Sequence, residues 1–156
     1  MSNSHCQTGT IAELLFCAQA GMKGWDVFVP VGHAQAADVC LVKAPGRPVS
    51  VQVKTAGWDK KQNCYQINAC KGGAVKVAYR AGAFDVLAAW LPDREQFVFW
   101  TLEDIAGRLT VRYSPLRHRA PGNWHILQDV AFSAHKLTNS DAMCASVFLN
   151  SHKVTP

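Results

Sequence analysis

Two runs of alternating β-forming residues, held apart by five residues of turn chemistry, constrain this chain more than any other feature. Residues 37–43 read Ala-Asp-Val-Cys-Leu-Val-Lys and residues 49–55 read Val-Ser-Val-Gln-Val-Lys-Thr, with Ala-Pro-Gly-Arg-Pro between them. Such a pattern predicts an antiparallel hairpin. Side chains alternate along a strand, so Gln52 and Lys54 share one face while Val51 and Val53 take the other. The Cα atoms of Gln52 and Lys54 are then about 6.6 Å apart at a rise of ~3.3 Å per residue. A turn centred on Gly46 sets Asp38 opposite Lys54, with Gln52 on the diagonal. A slip of one residue would turn Val51 and Val53 away from the core, which argues for that register. One patch then carries a carboxylate, an amide oxygen and an ammonium.

Upstream, residues 10–21 predict a helix. Ile11, Leu14, Leu15, Ala18 and Met22 recur at helical spacing, and Thr10 with Glu13 matches a capping box. Gly21 and Gly24 supply stop signals. Phe16, Cys17 and Ala20 make the opposite side apolar too, so the helix is expected to be covered on more than one side. A short strand follows over residues 25–30, and a loop over 33–36. Residues 57–73 are polar and read as a loop with one edge strand near 65–69. Residues 84–91 and 96–101 predict a second hairpin around the turn 92–95. Thr101 and Asp104 cap a short helical turn, and 109–113 reads as a last strand. Residues 124–132 and 140–149 both permit helices. A leading helix, then mainly antiparallel strands, then helices define an α+β (mixed α/β) class.

The 156 residues match the common size of one domain, and we expect a single domain over 1–156, with a core over about 9–132 and an extension over 133–156. Hydrophobic residues at 49% suffice for a core, and no run is long enough for a membrane span. The first residues lack a basic segment followed by an apolar one, so we expect an intracellular, cytoplasmic protein. A net charge of +5 suits a polyanionic partner, although many unrelated proteins share it. The six cysteines form no C-x-x-C pair and read as reduced thiols. A zinc-stabilised interaction domain using Cys64, Cys70 and a histidine is a minor alternative, since the gap exceeds ordinary zinc spacing.

The hairpin patch suits phosphodiester hydrolysis. A hard cation takes oxygen ligands and keeps several waters, so one carboxylate, one further oxygen and a backbone carbonyl suffice to hold Mg²⁺. A neighbouring lysine orients water and stabilises developing negative charge. Glu13, the only charged residue between Thr10 and Gly21, adds a carboxylate on a helix apolar nearly all round. Each residue alone has a plainer explanation. Glu13 could be half of a capping box, and Asp38 with Lys54 could be a cross-strand ion pair worth under about 1 kcal/mol.

Taken in order, Gly9-Thr-Ile-Ala-Glu13, Ala37-Asp38-Val and Val51-Gln52-Val-Lys54-Thr55-Ala56 resemble the PD-(D/E)XK nuclease family. The likeness is greatest to its branch of group I intron homing endonucleases, which carry Gln-x-Lys. Archaeal Holliday-junction resolvases share the core more distantly. It extends through Ala83-Phe-Asp85-Val-Leu, the hairpin over 90–101 and Val111-Arg112-Tyr, covering roughly residues 9–132. The resemblance implies a restriction-endonuclease-like core, a mixed, mainly antiparallel sheet flanked by helices. It also implies Mg²⁺-dependent cleavage of double-stranded DNA, with Mn²⁺ able to substitute, by a homo-oligomer (dimer or tetramer). Asp38 would be the principal metal ligand, joined by Gln52 and the Val53 carbonyl. Lys54 would position the attacking water, and Glu13 would bind metal or orient Lys54. DNA would lie along Lys60, Lys61, Lys71, Lys76, Arg80 and the loop of Arg117, His118 and Arg119, with Trp58 and Tyr65 as interleaved aromatics. Two departures stand out: Ala37 where many members have proline, and Gln52 in place of a carboxylate. The second leaves two functional alternatives, a catalytically weak or inactive DNA-binding or assembly module, or a Holliday-junction-resolvase-like nuclease.

Overall fold

The computed structural model describes residues 3–31, 36–72, 75–116 and 123–133, with side chains from residue 7 onward. Helix α1 (Asn3–Met22) leads into β1 (Asp26–Phe28), β2 (Val39–Val42) and β3 (Val49–Thr55). Then come β4 (Gly57–Asp59), β5 (Cys64–Asn68), β6 (Cys70–Lys71) and β7 (Val77–Ala78). After these follow β8 (Val86–Leu91), β9 (Gln96–Thr101), a 3-10 turn (Glu103–Ile105), β10 (Thr110–Tyr113) and α2 (His125–Phe132). The main sheet runs β1-β2-β3-β8-β9, β10-β5-β4 form a second sheet, and β6-β7 form a small ribbon. The β3–β8 pair is parallel and every other pair antiparallel, so the sheet is mixed and the class α+β, as expected.

Alternation divides the main sheet into two faces. Val51 and Val53 of β3 join Val86, Ala88 and Trp90 of β8 beneath α1 and α2. Phe16 of α1 anchors that layer, edge-on to Phe97 with centroids 5.3 Å apart and stacked on Trp124 at 5.4 Å. Leu87, Ala89 and Leu91 face the other way, into a core shared with Tyr65, Ile67 and Val111 of the second sheet. Covered on both faces, β8 is buried at all six positions, which explains its unbroken apolar sequence. The parallel ladder is anchored at its start. Asp85 accepts bonds from the Ser50 N–H and hydroxyl, both at 2.7 Å, pairs with Arg47 at 2.8 Å, and donates its own N–H to the Ser50 carbonyl at 2.9 Å. That clamp sets Gln52 beside Leu87 and Lys54 beside Ala89.

Four expectations change. Helix α1 begins seven residues before Thr10, so Thr10 lies inside it and the capping-box reading fails. Its buried stripe is Ala12, Phe16 and Ala20, while Ile11, Leu14 and Met22 are exposed. Small residues on either side of Phe16 let the helix approach the sheet closely, and a helix apolar all round gave no periodicity to choose this stripe. The hairpin register also moves. Val39 pairs with Val51 and Leu41 with Val49, so Asp38 stands opposite Gln52, not Lys54. Pro48 has no N–H to give the ladder, and the Gly46 N–H bonds the Lys43 carbonyl at 2.9 Å, which centres the loop one residue earlier. Finally, residues 57–73 hold three strands rather than one. The helix expected over 140–149 lies outside the described residues.

Candidate active site

The shift of register moves partners by two, so faces survive: Ser50, Gln52 and Lys54 still point away from Val51 and Val53. Gln52 is only 5% exposed, the one polar side chain among the buried residues described. Its burial demands partners for both ends of its amide. The Nε2 group donates to Asp38 Oδ2 and, at 3.2 Å, to the Val53 carbonyl. Asp38 Oδ2 also accepts the Val53 N–H at 2.8 Å, and the Asp38 N–H bonds the Val51 carbonyl at 2.9 Å. On the other side, the Tyr79 hydroxyl donates to Gln52 Oε1 at 3.3 Å. A carboxylate oxygen and a backbone carbonyl thus converge on one amide end, deep in the strand pair.

Electrostatics follow from this burial. Desolvation raises the pKa of Asp38 above the ordinary aspartate range, and the Val53 N–H bond and the Lys54 charge offset it only in part. Lys54 therefore lies close enough to act on the carboxylate. The Tyr79 phenol is pushed up to about 12 by burial first, then by the charges of Asp38 and Cys70. It stays protonated at any working pH.

Of the residues picked out from the sequence, Asp38, Gln52, Val53 and Lys54 come together. Glu13 lies half-buried on α1, the helix that covers the opposite face of the sheet. It stands one turn before Cys17, whose thiol is raised by burial first and then by the Glu13 charge. The α1 start is tied to the end of β3, where the Thr55 hydroxyl bonds the Thr8 carbonyl at 3.4 Å. Lys60 and Lys61 are exposed on the β4–β5 turn, where Asp59 accepts the Lys61 N–H at 2.9 Å. They line an open groove with Trp58 and Gln66. Trp58 packs edge-on against Tyr65 at 4.7 Å, and Tyr65 itself is buried and bonded to Asp93, so of the two aromatics only Trp58 is open to a ligand. Lys71, Lys76 and Arg80 are exposed on and beside the β6–β7 ribbon. Arg117, His118 and Arg119 lie outside the described residues. Tyr79 was not among the expected residues. It lies 27 positions from Gln52 in a stretch with no motif, and only the tertiary fold brings it there.

The donor set fits a hard divalent cation. Asp38 Oδ2 and the Val53 carbonyl offer two oxygens to one small volume, and the Gln52 amide beside them could supply a third by turning its oxygen inward, with no sulfur or imidazole among them. Cys64 and Cys70, the thiols of the zinc alternative, are buried and free. Among the described residues, no group of three His, Cys, Asp or Glu side chains could hold a metal ion.

The solved structure of a bacterial homing endonuclease, I-Ssp6803I, resembles the chain with a TM-score of 0.71 and 23% identity, over 86% of this chain and 100% of that one. At that identity the likeness speaks to fold, and the fold is of the restriction-endonuclease-like class. Residues 3–129 match the PD-(D/E)XK endonuclease family, and the chain belongs to it. No curated protein sequence matches. Among the described residues, no helix is long and apolar enough to cross a membrane.

Proposed function

We propose that the chain is a divalent-metal-dependent DNA endonuclease, site- or structure-specific in the manner of a homing endonuclease. One observation carries the reading: a half-buried carboxylate oxygen and a backbone carbonyl meet at the buried Gln52 amide, with a lysine beside them. Asp38, the Val53 carbonyl and Gln52 would hold the cation, Mg²⁺ by preference with Mn²⁺ a substitute. Bound there, it would neutralise charge on the phosphoryl oxygens and lower the pKa of an attacking water. Lys54 orients that water and stabilises charge on the phosphate as the bond breaks. Glu13 would serve as a further ligand or orient Lys54. Family membership supports both the nuclease activity and a nucleic-acid substrate.

Double-stranded DNA would run along Lys60, Lys61, Lys71, Lys76, Arg80 and the Arg117 and Arg119 loop, where basic side chains displace counterions. We read the whole chain as one nuclease domain acting as a dimer or tetramer, since cutting both strands needs two such sites. The neutral Gln52 amide favours a second reading, a DNA-binding module with weak or no cleavage. Supercoiled plasmid incubated with Mg²⁺ or Mn²⁺ separates the two. Nicking that disappears in Lys54→Ala is the expected result. DNA binding without nicking under either metal would overturn the endonuclease reading.

A further inference from the structure

The Gln52 amide is seated the wrong way round for a metal ligand. Its Nε2 end faces Asp38 Oδ2 and the Val53 carbonyl, the two oxygens that would share a cation with it, and its Oε1 end faces Tyr79. Two acceptors facing an amide call for its N–H bonds. With a cation between them the demand reverses. The amide oxygen must then face the ion, and the NH₂ group must turn to the other side of the side chain. Gln52 is 5% exposed and Tyr79 7%, so little water is available to satisfy whichever end turns away.

Tyr79 is suited to that reversal. A lysine or arginine there could only donate, and a carboxylate could only accept, so either would hold the amide in one orientation. A phenol does both. The Tyr79 hydroxyl is edged into place by its ring, which packs edge-on against Phe84 at 4.7 Å. The geometry points to Tyr79 as a positioning residue whose hydroxyl changes from donor to acceptor as the Gln52 amide turns its oxygen to a divalent cation. This rests on reading Asp38, Gln52 and Val53 as the cation site, and it explains how a glutamine can stand where a carboxylate, symmetric end to end, would need no such partner.

The test uses the full chain without DNA and Mg²⁺ alone. Ultraviolet resonance Raman resolves a tyrosine doublet whose intensity ratio separates hydroxyls that donate from those that accept. The chain has three tyrosines, so a change at one is visible in the difference spectrum. Calorimetric titration in parallel reports whether Mg²⁺ binds. The expected result is Mg²⁺ binding with a shift of the ratio toward acceptor in the wild type. That shift is lost in Tyr79→Phe. It is lost also in Gln52→Glu, which still binds Mg²⁺ but offers Tyr79 an acceptor in both states. Mg²⁺ binding with no shift in the wild type overturns the inference and leaves the cation site standing. A shift that persists in Tyr79→Phe overturns it as well, because another tyrosine must be responsible. No Mg²⁺ binding, with Asp38→Asn indistinguishable from wild type, overturns the cation site and the inference together.

Discussion

The two faces of β3 differ in kind although they alternate residue by residue. The face of Val51 and Val53 is covered by α1 and α2 and packs an apolar core, with Phe16, Phe97 and Trp124 in mutual contact. The opposite face carries Gln52 and Lys54 beside Asp38, and there both ends of the Gln52 amide and the Asp38 Oδ2 oxygen are hydrogen-bonded. One strand thus packs the core with its odd residues and carries the candidate site on its even ones. The packed first face fixes the backbone that holds the Asp38 carboxylate and the Val53 carbonyl against the Gln52 amide.

Substitutions should split along that division. Asp38→Asn should reduce plasmid cleavage by about 10³-fold, some 4 kcal/mol of barrier, because a neutral oxygen replaces the charged ligand. Its melting temperature should stay close to wild type, since an asparagine oxygen can still accept the Val53 N–H; a large drop would mark Asp38 as structural. Phe16→Ala should do the opposite. Losing the ring that touches Phe97 and Trp124 should cost about 3–4 kcal/mol in chemical denaturation, without any change in Mg²⁺ affinity of the folded protein. If the two variants had similar effects on stability, the division between faces would be wrong.

Smaller effects sharpen the same contrast. Gln52→Glu exchanges the Nε2 donor for a carboxylate facing Asp38, which should destabilise the metal-free protein by about 1–3 kcal/mol. Mg²⁺ should raise the melting temperature of this variant more than that of wild type, since a second charged ligand binds the cation more tightly. Equal metal-induced shifts would argue that Gln52 does not touch the ion. The least effect is in pH dependence. Asp38 has a raised pKa in the folded state, so its protonated form is favoured there. Its contribution to stability is fully present below the unfolded-state pKa and is lost as pH rises through the folded one. Across that window the stability of wild type relative to Asp38→Asn should fall with rising pH; a rise would mean that Asp38 is held ionised.

The hairpin was legible because turn residues and β-branched alternation are local signals, and its faces survived an error in register because a shift of two preserves parity. Position of the turn centre was not legible: it depends on Pro48 leaving the ladder and on the Arg47 N–H bonding the Ala131 carbonyl of α2 at 2.9 Å, a contact made only in the folded chain. Helix α1 misled for a related reason. With apolar residues on every side, the choice of Ala12, Phe16 and Ala20 belongs to the sheet that receives them, and Thr10 with Glu13 imitates a cap inside a longer helix. The parallel pairing of β3 with β8 went unread, since it joins residues more than thirty apart through the Asp85 clamp. Tyr79 is the most instructive omission. Nothing in its neighbourhood in sequence marks it, and it acquires meaning only from the buried amide it faces.

A crystal of the full chain soaked in Mn²⁺, read by anomalous scattering, tests the central claim most directly. The account predicts one strong peak at about 2.0–2.2 Å from Asp38 Oδ2, the Val53 carbonyl and the Gln52 amide oxygen, with Lys54 alongside. A peak elsewhere on the molecule, with the Gln52 Nε2 still bonded to Asp38, would contradict it.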